Sequence, residues 1–317
     1  MRMLPLLGLA GCVTLDGFAF NPVHCSTVGP STCEEADSEW DAICLACDEP
    51  YDWSKDYPWF DGQLEPGMTI RPAAGVMQVS VPSDDGLATF DAYFVPSHGG
   101  VPELANTTIF YNHGNYAGIE HYAPRVRVLH ELGYNVFVWD YRGYGKSLPD
   151  TAPSTAEFLA DARQMRDFVD TVAPDPSRVI VYGYSLGALA SVEASVAKPG
   201  CALFLEAPFT GASAIGEENT LVAFPETFLS DGSFDNIRKI AGYPGPLFAF
   251  VGSDDTRFPP SSVERIVDNA GGPSELWVLD GIRHGVSDIG VVEAGVAEYG
   301  ARMAGFLEQT APGCLAP

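Results

Sequence analysis

The five residues Gly183-Tyr184-Ser185-Leu186-Gly187 stand between an apolar run, Arg178 to Tyr182, and a stretch of small residues with helical character. A strand that turns sharply into a helix at this point would hold the serine in a strained backbone conformation. Side chains two positions to either side would clash there, which suits glycine at 183 and 187. A serine hydroxyl is a poor nucleophile near neutral pH, so it needs a base within hydrogen-bond reach, and the base needs a third group to orient it. Of the six histidines only His284 follows Ser185, in the loop Asp280-Gly-Ile-Arg-His284-Gly285. Carboxylates close the two strand-like runs between them: Glu206 after Ala202 to Leu205, and the adjacent Asp254 and Asp255 after Leu247 to Val251. Such a set could carry acyl transfer through a covalent intermediate on Ser185. The oxyanion of that reaction needs preorganised amides, one from the Leu186 N–H at the helix start, where the helix dipole adds to it. The second is expected from the loop Asn112-His-Gly-Asn115-Tyr116, with Asn115 the donor by position. His113 precedes the nucleophile and is read as shaping that loop.

The elements that must hold these residues are short β-branched or aromatic runs alternating with amphipathic stretches. Strands are expected over Val76 to Val81, Thr89 to Val95, Thr108 to Tyr111, Asn135 to Trp139, Arg178 to Tyr182, Ala202 to Leu205, Leu247 to Val251 and Glu275 to Leu279. The clearest helix runs from Ala156 to Val172, where Phe158, Leu159, Ala162, Met165, Phe168, Val169 and Val172 recur at three- and four-residue steps. Ser154 and Glu157 have capping-box spacing at its start. Alternation of this kind predicts a mostly parallel sheet covered on both faces. No internal repeat or low-complexity tract is present.

The stretches Tyr111-Asn-His-Gly-Asn115, Asp140-Tyr-Arg-Gly-Tyr-Gly-Lys-Ser147, Gly183 to Gly187, Gly252-Ser-Asp-Asp255 and Arg283-His-Gly285 together resemble the α/β-hydrolase superfamily over residues 75–310. The resemblance is to its compact-lid group of esterases, acyl-protein thioesterases and serine aminopeptidase-like members. It implies an α/β-hydrolase fold with a mostly parallel central sheet flanked by helices. It also implies nucleophile, acid and base in that chain order, with His284 as the base. In related hydrolases the acid stands three residues after a glycine and four before a proline. Gly252, Asp255 and Pro259 reproduce this, so Asp255 is preferred while Asp254 and Glu206 stay open. The implied reaction is hydrolysis of a small-molecule carboxylic ester or thioester through an acyl-enzyme, with no cofactor and no metal. Amide or peptide cleavage uses the same constellation and remains an alternative. Arg142 and Lys146 fall in the family's structural turn and are read as scaffold. The segment from Phe209 to Tyr243 is where the family carries its lid; here it is short and broken by Pro and Gly, which implies an open pocket.

The remaining readings concern the whole chain. Its 317 residues and 46% hydrophobic content allow a sizeable core, and a formal charge of −25 opposes binding to nucleic acid or anionic lipid. Arg2, the apolar run Met3 to Ala10 and Leu9-Ala10-Gly11-Cys12 resemble a bacterial lipoprotein signal, implying export and a lipid anchor on Cys12. Three regions follow: a signal segment over 1–12, a Cys-rich acidic extension over 13–70 and a catalytic domain over 71–317. Setting Cys12 aside leaves Cys25, Cys33, Cys44, Cys47, Cys201 and Cys314, an even number suited to disulfides in an oxidising compartment. A competing reading makes His24, Cys25, Cys33, Cys44 and Cys47 a zinc site. A different class of function, a non-catalytic surface-binding protein with the Cys-rich arm as its contact module, is the remaining alternative.

Overall fold

The computed structural model describes residues 20–28, 47–53, 75–211, 234–284 and 295–315. Cys12, Cys33 and Cys44, most of the expected N-terminal extension and the middle of the lid segment lie outside the described residues. The eight expected strands all form: β1 (Met77–Pro82), β2 (Thr89–Val95), β3 (Thr108–Asn112), β4 (Asn135–Trp139), β5 (Val179–Tyr184), β6 (Ala202–Glu206), β7 (Leu247–Gly252) and β8 (Ser274–Leu279). They pair in one sheet of order β1-β2-β4-β3-β5-β6-β7-β8, parallel from β4 to β8, with β1 and β2 antiparallel at one edge.

Alternation along the strands feeds two cores. On β5, Val179 and Val181 face one side and Ile180, Tyr182 and Tyr184 the other. Both layers are sealed, so the central strands are buried end to end, as parallel strands between helix layers must be. The first core is covered by α2 (Thr155–Val172), α3 (Gly187–Ala197) and α4 (Pro260–Asp268), the second by α1 (Ile119–Glu131) and α5 (Val296–Thr310). The α2 start has the full capping box: the Ser154 hydroxyl accepts from the Glu157 N–H, and the Glu157 carboxylate accepts from the Ser154 N–H at 2.7 Å. β5 starts one residue later than expected, because Pro176–Arg178 forms a 3-10 turn capped by Asp175. It also ends two residues later, so the strand runs to the residue before Ser185.

Among the described residues two disulfides brace this frame, Cys25–Cys47 and Cys201–Cys314. The first consumes two of the five side chains of the alternative zinc set; the third described member, His24, lies beside that bond. Among the described residues no helix is long and apolar enough to cross a membrane.

Candidate active site

Ser185 sits at the C-terminal end of β5 with φ of 51°, a left-handed conformation that costs a side-chain-bearing residue roughly 1–3 kcal/mol. Its surroundings leave it no alternative. The Ser185 N–H donates to the Glu206 carbonyl at 3.0 Å, and its own carbonyl accepts from the Ala188 and Phe209 N–H groups, each at 3.0 Å. The flanking glycines permit the close approach: a Cβ on Gly187 would lie 2.0 Å from the Asn112 carbonyl oxygen, and one on Gly183 2.5 Å from the Ser191 hydroxyl.

The loops after β7 and β8 bring the partners. A Cβ on Gly252 would sit 2.0 Å from the Ile282 carbonyl oxygen, so the two loops can cross here only over glycine. The crossing is fastened by Ser253 N–H to the Leu279 carbonyl (2.7 Å), Asp254 N–H to the Ile282 carbonyl (2.9 Å) and Gly281 N–H to the Ser253 hydroxyl (2.8 Å). It sets Asp255 Oδ2 2.8 Å from His284 Nδ1, and His284 Nε2 3.2 Å from Ser185 Oγ. The other carboxylate oxygen, Oδ1, accepts from the main-chain N–H groups of Arg257 (2.9 Å) and Phe258 (2.8 Å). Asp255 is buried, and a neutral imidazole donating from Nδ1 to its carboxylate would present the unprotonated Nε2 to the serine hydroxyl. The imidazole is also packed between rings, parallel to Tyr184 at 5.9 Å and edge-on to Phe258 at 5.0 Å.

Residues 104–230 match the family described as serine aminopeptidase, S33. An uncharacterized protein of Mycobacterium tuberculosis is 30% identical over 224 residues, covering 70% of this chain and 76% of its own. A solved esterase of Pyrococcus furiosus superposes with a TM-score of 0.58 at 21% identity, covering 74% of this chain and 93% of that one. Est1E of Butyrivibrio proteoclasticus, with ferulic acid bound, gives 0.59 at 17% identity, with 73% and 99% coverage. The chain belongs to the α/β-hydrolase superfamily.

Within this hydrolase, only one of the three acids considered from sequence meets the imidazole. Asp254 is exposed and takes a hydrogen bond from the Ser253 hydroxyl at 3.1 Å. Glu206 is buried but committed elsewhere, to Arg125 at 3.3 Å and to the Tyr182 hydroxyl at 2.7 Å, which in turn accepts from the Tyr299 hydroxyl at 2.9 Å. Arg125 also lies 4.0 Å over the Tyr184 ring. Burial pushes the Tyr184 hydroxyl up to about 12, so the ring beside His284 is neutral. Leu186 follows Ser185 at the N-cap of α3, and Asn115 lies in the β3–α1 loop. His113 is buried in that loop, stacked on Tyr141 at 4.0 Å and on Tyr122 at 5.0 Å. Arg142 pairs with Asp161 (2.6 Å) and Asp85 (2.7 Å), and Lys146 with Glu120 (3.0 Å). Tyr184 and Phe258, which pack on the His284 ring, carry no separate signal of their own in the sequence. They stand one residue before Ser185 and three after Asp255, so their place beside the site follows once those residues are assigned.

Proposed function

We propose that this protein is a serine hydrolase that cleaves small-molecule carboxylic esters or thioesters through an acyl-enzyme. The observation that carries the reading is the unbroken series Ser185 Oγ, His284 Nε2, His284 Nδ1 and Asp255 Oδ2, with links of 3.2 and 2.8 Å, on a serine held at φ 51°. In this reaction His284 takes the hydroxyl proton as Ser185 attacks the acyl carbon, then gives it to the leaving oxygen or sulfur. Water activated by the same imidazole releases the acid. Asp255 fixes the tautomer and stabilises the imidazolium. The Leu186 and Asn115 N–H groups receive the oxyanion. The esterase neighbours support an ester as substrate by likeness of fold.

The match to a serine aminopeptidase family favours a second reading, amide or peptide cleavage by the same residues, in which His284 must protonate an amine as it leaves. A fluorophosphonate probe is expected to label the wild type and not Ser185→Ala. Turnover of short- and long-chain p-nitrophenyl esters, acyl thioesters and aminoacyl p-nitroanilides then separates the two readings. Absence of labelling on folded protein would leave the non-catalytic binding role. The disulfides support export. For lipid attachment at Cys12, Cys12→Ser is expected to abolish incorporation of a palmitate analogue.

A further inference from the structure

The N-terminal arm meets the β3–α1 loop by a hydrogen bond at Asn115 and by packing of Val23 and Cys25 with Tyr116 and Ala117. The Asn115 side-chain oxygen accepts from the Asn21 main-chain N–H at 2.9 Å and from the Tyr144 hydroxyl at 2.5 Å, and the same Asn21 N–H reaches the Tyr144 oxygen at 3.1 Å. Tyr144 is fully buried, and burial holds its hydroxyl well above the usual tyrosine range, so it stays protonated and remains a donor. The loop that carries it grips the β3–α1 loop at two more points. The Tyr141 hydroxyl donates to the His113 carbonyl at 2.7 Å, and the Asp140 carboxylate accepts the Ile119 N–H at 2.8 Å. The arm then meets this turn through a single parallel β-bridge between His24 and Gly145: Gly145 N–H donates to the Val23 carbonyl and Cys25 N–H to the Gly145 carbonyl, each at 2.9 Å. Within the arm, Phe20 packs against Phe158 at 5.1 Å and Phe234 at 6.4 Å. The Cys25–Cys47 disulfide fastens the arm to a second docked segment, where Lys146 Nζ donates to the Glu49 carbonyl at 2.6 Å and Tyr51 N–H to the Tyr93 hydroxyl at 2.8 Å.

We propose that Tyr144 and the disulfide-stapled arm are positioning elements of the active site, holding Asn115 so that its main-chain N–H meets the oxyanion. The inference rests on the serine-hydrolase reading and adds the residues that set its second oxyanion donor. The physical ground is that a donor stabilises developing charge only where it is fixed in advance. A short loop carrying Gly114 and flanked by the left-handed Ala117 (φ 51°) needs outside contacts to stay in one conformation.

Tyr144→Phe keeps the ring and removes the bridge. Its kcat on the best p-nitrophenyl ester is expected to fall about tenfold with KM within about twofold, short of the ~10²–10³ that follows loss of a donor outright. Cys25→Ser/Cys47→Ser is expected to lower kcat in the same way. The triple variant should fall by less than the product of the two losses, because both act through Asn115. Cys201→Ser/Cys314→Ser, which frees a disulfide at the opposite, N-terminal edge of the parallel strands, is the control and should lower the melting temperature while leaving kcat intact. Wild-type kcat in Tyr144→Phe, or a kcat loss in the control equal to that in Cys25→Ser/Cys47→Ser, overturns the proposal. A wild type that neither turns over ester nor takes the fluorophosphonate label removes the hydrolase reading itself and this inference with it.

Discussion

The two oxygens of Asp255 have different occupants, and that division determines what a minimal change would do. Oδ1 accepts two main-chain N–H groups, whereas Oδ2 faces His284. In Asp255→Asn the amide would keep its carbonyl toward the two N–H donors and place its NH₂ against Nδ1. The imidazole must then accept at Nδ1 and carry its proton on Nε2, where it has no lone pair for the Ser185 proton. Loss of kcat by ~10⁴ is expected with little change in KM, as for an equivalent tautomer inversion in serine proteases. Steady-state kinetics on Asp255→Asn beside Asp254→Asn checks it, and a comparable loss in Asp254→Asn would reassign the acid. At this scale the sequence was informative where a residue is constrained twice. Ser185 is fixed by flanking glycines and by a strand-turn-helix setting, His284 by being the sole downstream histidine, and Asp255 by Gly252 and Pro259. Glu206 was legible only as a carboxylate at a strand end. Its engagement by Arg125, 81 residues away in sequence, depends on tertiary packing that no local pattern carries.

Elements were legible where a run or a stripe of apolar residues marks them. β1 to β8 were marked by short β-branched or aromatic runs, and α2 by its stripe and capping box. By contrast α1 is buried from Ile119 to His130 and includes Glu120, His121, Arg125, Arg127 and His130, with Pro124 inside the helix, so neither a polar face nor a helix-forming composition marks it. Its burial has a measurable consequence. Burial, reinforced by Arg125 and His113, lowers His121 to about 3, and burial, reinforced by His98, lowers His130 to about 4. Both are neutral in the fold, while in the unfolded chain each titrates near ~6.5. Below that value the unfolded state takes up protons that the folded state refuses, so stability falls as pH drops from 6.5 toward 4. Each histidine costs up to about 2 kcal/mol by pH 5, since every pH unit below the unfolded value removes ~1.4 kcal/mol. Asp91 works in the opposite direction. Burial, reinforced by Asp140, raises it to about 6, so its penalty at neutral pH fades as pH falls through that value. His121→Asn/His130→Gln is therefore expected to be less stable than wild type at pH 8 and to close part of that gap by pH 5. Urea unfolding at the two pH values checks it, and a gap that stays constant would mean that neither histidine is held neutral.

At the scale of the molecule, the parallel sheet gathers Ser185, Asp255 and His284 from three strand ends, and those strands must stay in register for the 3.2 and 2.8 Å contacts to persist. Cysteine count alone predicted disulfides but could not pair them, because connectivity depends on which chain ends the fold brings together. Cys201 immediately precedes β6 and Cys314 follows α5, so their bond closes a separation of 113 residues around the second core. The Thr107 hydroxyl, at the entry to β3, donates to the Cys314 carbonyl and draws the C-terminus onto the same edge. Restricting the unfolded chain over so long a loop is worth ~4–5 kcal/mol in the chain-entropy picture, with measured values for native disulfides of about 2–5. Cys201→Ser/Cys314→Ser is accordingly expected to melt about 4–10 °C lower, at roughly 2 °C per kcal/mol for a domain of this size. Its m-value in urea should also rise, since the released chain exposes more surface on unfolding. Calorimetry and urea titration measure the two independently. A lower melting temperature with an unchanged m-value would place the stabilisation in native packing around Cys314 rather than in the unfolded ensemble.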